Sequence, residues 1–181
     1  MKTQLVGALL WTFALTVAGA DTTLQSASSP PPLDAMASLA ILEGRWEGEG
    51  WMRQGPGEPQ RFHGKETVER RLDGRLIIVE GVHSGGSPEH VVHHAFAVIS
   101  HNPSTGRFRF QSFLADGRSG DYEGELKDGA FVWGFDQPQQ GRMRFSIHVR
   151  DNQWHEIGES SRDGITWTQF FEMTLSKSKG M

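Results

Sequence analysis

From residue 44 onward, turn-forming residues divide the chain at intervals of 8–12 positions, and no long helical repeat lies between them. The dividers are GPGEP (55–59), LDG (72–74), SGGSPE (84–89), NPSTG (102–106), ADGRSG (115–120), KDG (127–129), QPQQG (137–141), DN (151–152) and SRDG (161–164). Short segments of β-type residues at this spacing read as antiparallel all-β structure. Nine dividers imply ten strands, near 45–54, 61–71, 75–83, 91–101, 107–114, 120–126, 130–136, 142–150, 153–160 and 165–176. Every connection is of hairpin length, so strands adjacent in sequence are expected to be adjacent in the sheet.

A meander of this kind keeps two unpaired edges unless it closes on itself. The expected fold is therefore an all-β, ten-stranded antiparallel up-and-down β-barrel preceded by a short N-terminal helix. The helix is read at AMASLAILE, capped by Asp34 and ended by Gly44, with Met36, Leu39 and Leu42 near a helical repeat. Closure also gives a reason for GRWEGEGW (44–51), where glycine would otherwise weaken a strand. Sharp coiling needs glycine where a bulky inner residue would collide. Alternation puts Gly48 and Gly50 on the side of Trp46. The expected arrangement is a tryptophan plugging one barrel end, with two glycines leaving space above it.

Parity proposes further inward residues. Phe131, Trp133 and Phe135 share one face, as do Met143, Phe145, Ile147 and Val149, and then Trp167, Gln169, Phe171, Met173 and Leu175. Between 91 and 114 two registers compete, because Phe96 and Val98 oppose Ala97 and Ile99, while Phe108 and Phe110 oppose Arg107 and Arg109.

The N-terminus has a different composition. Residues 1–20 combine Lys2, an apolar run from Leu5 to Val17 and the small residues Ala18-Gly19-Ala20. This pattern reads as a secretory signal cleaved after Ala20, placing the mature protein in the periplasm or outside the cell. The apolar core is shorter than the ~20 residues of a membrane span, so no anchor is expected in the mature form. Residues 21–33 form a Ser/Pro-rich tether expected to be disordered, 34–176 the single barrel domain and 177–181 a flexible tail. Without residues 1–20 the charge is −5, from 17 bases and 22 acids, which argues against a nucleic-acid partner. There is no cysteine, so stability must come from a packed core rather than disulfides.

The candidate chemistry is sparse. His90, His93 and His94 form the densest histidine cluster, but His93 and His94 point to opposite faces of a strand, so they read as surface histidines at a loop edge. His63, His83 and His101 fall at strand margins. No metal site and no catalytic set is read, since GEGW lacks the residues and helix context of a P-loop or nucleophile elbow. Asp116-Gly117, Asp128-Gly129 and Asp163-Gly164 read as hairpin turns in which Asp-Gly supplies positive φ. Glu80, Glu156 and Glu172 lie within strands, either facing solvent or orienting a ligand in an apolar cavity. The pocket candidates are Trp46, Gly48, Gly50, Glu80, Arg109, Gln111, Tyr122, Trp133, Glu156, Gln169 and Phe171.

A starting helix, then GxWxGxG (Gly44, Trp46, Gly48, Gly50), then a meander ending FFEMTL (170–175), resembles a calycin-like bacterial family of domains of unknown function, related to lipocalin-like and nitrobindin barrels. The resemblance covers residues 34–176 and implies a ten-stranded barrel that holds a ligand. Nitrobindins bind haem through a histidine close to the C-terminus. Residues 165–181 contain no histidine, so that cofactor is not carried over, and neither His148 nor His155 is matched to the ligand position. Two functions follow: a carrier of a small apolar or amphipathic molecule, or an isomerase or haem-dependent scavenger using the same cavity. The lack of a catalytic set favours the carrier.

Overall fold

Ten strands with one apolar face each can bury those faces together and satisfy both free edges by pairing the first strand with the last. This is the arrangement found. The structure, a computed structural model, describes residues 34–138 and 141–178. The strands are β1 (Gly44–Met52), β2 (Gln60–Arg71), β3 (Leu76–Gly85), β4 (His90–Asn102), β5 (Arg107–Leu114), β6 (Ser119–Lys127), β7 (Ala130–Gln137), β8 (Gly141–Arg150), β9 (Gln153–Ser161) and β10 (Thr168–Lys177). Each pairs antiparallel with its sequence neighbours, and β1 pairs with β10 from Trp46↔Lys177 to Met52↔Phe171, closing the barrel. The expected signal segment 1–20, the tether 21–33 and residues 179–181 of the expected tail lie outside the described residues. Lys177, assigned above to the tail, ends β10.

The starting helix is interrupted. A single turn, α1 (Asp34–Ala37), is followed by a 3-10 turn at Ala40–Leu42. Met36, Leu39 and Leu42 are nonetheless all buried, as their spacing required. The Trp46 indole N–H donates to the Leu42 carbonyl at 2.8 Å, and the Trp46 ring meets Trp154 edge to face at 5.8 Å. These contacts floor the barrel.

Gly48 and Gly50 lie on the inner side of β1 with Trp46, but they do not leave open space. A Cβ at Gly50 would fall 2.6 Å from Phe62 Cε2 and 2.7 Å from the Glu172 carbonyl oxygen. At Gly48 it would fall 2.9 Å from Leu175 Cα and still closer to the Thr174 carbonyl. The glycines bring β1 against β10, and the Phe62 ring takes the room above Gly50. Close approach of β10 and of the Phe62 ring, rather than an open cavity, is what these glycines allow.

The open register of 91–114 resolves with Ala97, Ile99, Phe108 and Phe110 inside and buried. Phe96 and Phe113, paired across β4 and β5, face out. In the turns, Asp128 (φ 52°) and Gly129 (φ 79°) are both left-handed, as are Asp151 (53°) and Asn152 (60°). At Asp116-Gly117 and Asp163-Gly164 only the glycine has positive φ. Asp163 instead accepts from the Ile165 and Thr166 amides and the Ser161 hydroxyl, which holds its carboxyl far below the usual range.

Candidate functional site

Alternation along β2 turns Phe62, Gly64, Glu66 and Val68 inward, and along β3 it turns Ile77, Val79, Gly81 and His83 inward. The β2–β3 register sets Glu66 opposite Gly81 and His83 opposite Gly64. Each polar side chain therefore faces a glycine. A Cβ at Gly81 would lie 2.6 and 2.7 Å from the two Glu66 carboxyl oxygens, so the missing side chain is what admits the carboxyl. Glu66 Oε1 and His83 Nε2 are 3.0 Å apart, with both side chains more than 90 % buried. The His83 ring lies parallel to Phe62 at 4.5 Å, and His93, its partner across β4, is 5.1 Å away centroid to centroid.

Burial controls the protonation of this group. It pushes Glu66 up to about 8 and holds His83 and His93 down at about 4, the neighbouring His83 adding to the effect on His93. Glu156 is pushed up to about 8 in the same way, with the nearby Glu66 raising it further and the Trp154 indole N–H, 3.1 Å from Oε2, opposing. At neutral pH the interior therefore carries polar groups and little formal charge.

The opposite wall is aromatic. Trp133 lies between Phe110 (4.2 Å) and Phe145 (4.5 Å), both nearly parallel to it, and Tyr122 stacks on Phe135 at 5.0 Å. Trp133, Phe145, Tyr122 and Glu156 are only half-buried although they point inward. The cross-strand neighbours of Glu156 on the inner face, Ile147 and Met173, are buried, and Glu156 faces the barrel interior between them. Two buried polar atoms there, His83 Nδ1 and Trp133 Nε1, have no hydrogen-bond partner. Buried polar groups are nearly always paired, so each is an exception that a ligand's polar atom would satisfy where the neighbouring side chains make room.

Of the residues proposed from sequence, Trp46, Gly48, Gly50, Tyr122, Trp133, Glu156 and Phe171 lie on inner faces. The rest do not. Glu80 is exposed on the outer face and pairs with His94 at 3.0 Å. Arg109 is outside, paired with Asp121, and Gln111 shares that outer face of β5. Gln169 is exposed because β10 is bulged between Gln169 and Phe171, which breaks the alternation assumed across 167–175. Of the histidine cluster, His90 and His94 are exposed but His93 turns inward, contrary to a surface reading of all three. Glu66 and His83 were not singled out from sequence. Their signal was the parity of Phe62-x-Gly64-x-Glu66-x-Val68 and of Ile77-x-Val79-x-Gly81-x-His83.

Among the described residues no group of three or more His, Cys, Asp or Glu is arranged to hold a metal ion. A cleft outside the barrel wall, between the β7–β8 and β9–β10 connections, is lined by Asp136, Arg142, Arg162 and Asp163. Its charges are largely committed, Asp136 to Arg142 at 3.3 Å and Asp163 to its own turn. The lumen is the better candidate.

No family model matches the chain, and no curated protein matches it. Solved structures do. The chain is similar to the crystal structure of Rv2717c from M. tuberculosis, with TM-score 0.62 and 11% identity over 80% of this chain and 98% of that one. A protein with unknown function from the DUF3598 family of Nostoc punctiforme aligns over 80% of this chain and 99% of that one, at 8% identity and TM-score 0.24. At such identities the likeness to Rv2717c establishes the barrel fold.

Proposed function

We propose that this protein is an exported barrel that binds a small, flat, amphipathic molecule in its lumen. The observation that carries the reading is a lumen whose aromatic wall keeps accessible surface and whose two unpartnered buried nitrogens, on His83 and Trp133, can hold a ligand's polar atoms. The helix followed by Gly44, Trp46, Gly48 and Gly50 supports membership of the calycin-like, nitrobindin-related barrels. Haem does not fit the ligand position that the resemblance implies, since the final strand has no histidine. No described helix is long and apolar enough to cross a membrane.

The test is titration with N-phenyl-1-naphthylamine, whose emission rises in an apolar site. Saturable binding at one probe per chain is expected, and the absence of any saturable enhancement contradicts the reading. Export is tested separately by N-terminal sequencing of the mature protein, which should begin Asp-Thr-Thr. Retention of Met1 contradicts it.

The isomerase alternative has one observation in its favour. Glu66 and Glu156 are inward-facing acids of the same barrel interior, both with raised proton affinity, as groups that transfer protons often are. The unpartnered nitrogens of His83 and Trp133, which a bound molecule's polar atoms would satisfy, make binding the stronger reading.

A further inference from the structure

We propose that Glu66 and His83 form a proton-switched anchor for the polar atom of the lumenal ligand: His83 Nδ1 donates a hydrogen bond to a neutral acceptor such as a ring carbonyl, and loss of the Glu66–His83 proton abolishes that donor. The inference rests on the lumenal-binding reading and names the chemistry it selects.

Proton bookkeeping decides the role of Nδ1. When protonated Glu66 donates its O–H to Nε2 of neutral His83, the arrangement the proposal assigns, the imidazole's own proton sits on Nδ1. If the shared proton moves to the ring, Glu66 is a carboxylate, His83 an imidazolium, and Nδ1 still carries hydrogen. Only when the couple loses a proton does Nε2–H donate to the carboxylate and leave Nδ1 as a bare acceptor. Nδ1 is thus a donor in both forms that hold the proton. It is buried and unpartnered in a side chain that is 6% exposed, and its ring is fixed by parallel stacking on Phe62.

The titratable groups facing the couple are few. His93 approaches His83 from β4, and Glu156 from β9 is close enough to Glu66 to feel its charge. The neighbouring inner residues of β1 and β10 are Trp46, Gly48, Met173 and Leu175, none of which titrates. Glu66 is raised to about 8, so the couple holds its proton at neutral pH and loses it in mild alkali. A carbonyl oxygen facing the bare Nδ1 then meets a second acceptor. A carbonyl ligand is bound by the donor form, whereas an isosteric hydrocarbon is indifferent to it.

Fluorenone and fluorene make this comparison, being planar, uncharged and nearly the same shape. Tryptophan-quenching titrations at pH 6.5 should show fluorenone binding about five- to tenfold more tightly than fluorene, the ordinary worth of one net hydrogen bond. At pH 9.5 that preference should vanish, with fluorene affinity unchanged. In Glu66→Gln the amide N–H can donate to Nε2 while Nδ1 carries hydrogen, and nothing at 66 titrates, so the preference should be the same at both pH values. In Glu156→Gln the alkaline loss should remain, which separates the two carboxyls. His83→Phe should bind both probes equally at either pH. Equal binding of the two probes by wild type overturns the anchor and leaves lumenal binding standing. An alkaline loss retained in Glu66→Gln overturns the switch, and failure of both probes to bind overturns the lumenal reading and the anchor with it.

Discussion

Gly81 lies directly across the β2–β3 ladder from Glu66, and the Glu66 carboxyl fills the space that a side chain at 81 would occupy. Gly81→Ala must therefore push the carboxyl away and break its bond to His83. The expected cost is about 1–3 kcal/mol, that of leaving buried polar groups unpaired. Urea denaturation checks this, and in a Glu66→Ala background the same substitution should be nearly neutral. Equal costs in both backgrounds would remove the link between the two positions.

Gly48→Ala is expected to be worse tolerated than Gly81→Ala, because its obstacle is the β10 backbone rather than a side-chain end. A loss of about 3 kcal/mol, the upper end of overpacking costs, should appear as a lowered melting temperature. Trp46→Ala should lose about 3–5 kcal/mol, since it removes both the plug against Trp154 and the bond to Leu42. A melting temperature unchanged in either variant contradicts the account of the β1–β10 seam and the barrel floor.

Stability should fall as pH rises from about 6.5 to about 8. Glu66 and Glu156 are raised to about 8 from the usual 4.5, so the folded state holds protons that the unfolded state has released, and this contribution is lost on going up through 8. His83 and His93 are lowered to about 4 from 6.5, and their contribution is lost in the other direction, as pH falls through that range. Between about 4.5 and 6.5 the two trends oppose each other. From 6.5 to about 8 the carboxyls respond, each by up to about 1.4 kcal/mol per pH unit, and His63, raised by its bonds to Glu49 and Glu47, changes in the same direction. Melting curves across pH 5–9 should show a plateau and then a decline. The decline should shrink in Glu66→Gln/Glu156→Gln, and an undiminished slope in that variant would assign it to other groups.

Titration with haem should give no stoichiometric Soret band, because the final strand offers no histidine and His83 is held by Glu66 and Phe62. A clean band at one equivalent would restore the scavenger reading.

The strands were legible because their punctuation is strong: turns such as Asp128-Gly129 and Asp151-Asn152 adopt left-handed conformations that few residue pairs accept. The polar couple was hidden for a different reason. In QRFHGKETVERR the inward set holds only two large apolar residues, Phe62 and Val68, so alternation gives Glu66 a weak address. His83 looked marginal because the strand was expected to end there, whereas β3 continues to Gly85. Gln169 was misplaced by a bulge, which inserts a residue without any composition that announces it. Between 91 and 114 both faces carry apolar residues, and only the closed sheet decides that Phe96 and Phe113 go outside.

Lumenal binding is tested most directly by native mass spectrometry of the protein purified from its own host. The expected spectrum contains a species heavier than the apo chain by the mass of one small organic molecule, shed on mild collisional activation and absent from a Trp133→Ala/His83→Ala variant. A spectrum showing only the apo mass, from protein that also fails to take up fluorenone or N-phenyl-1-naphthylamine, would contradict it.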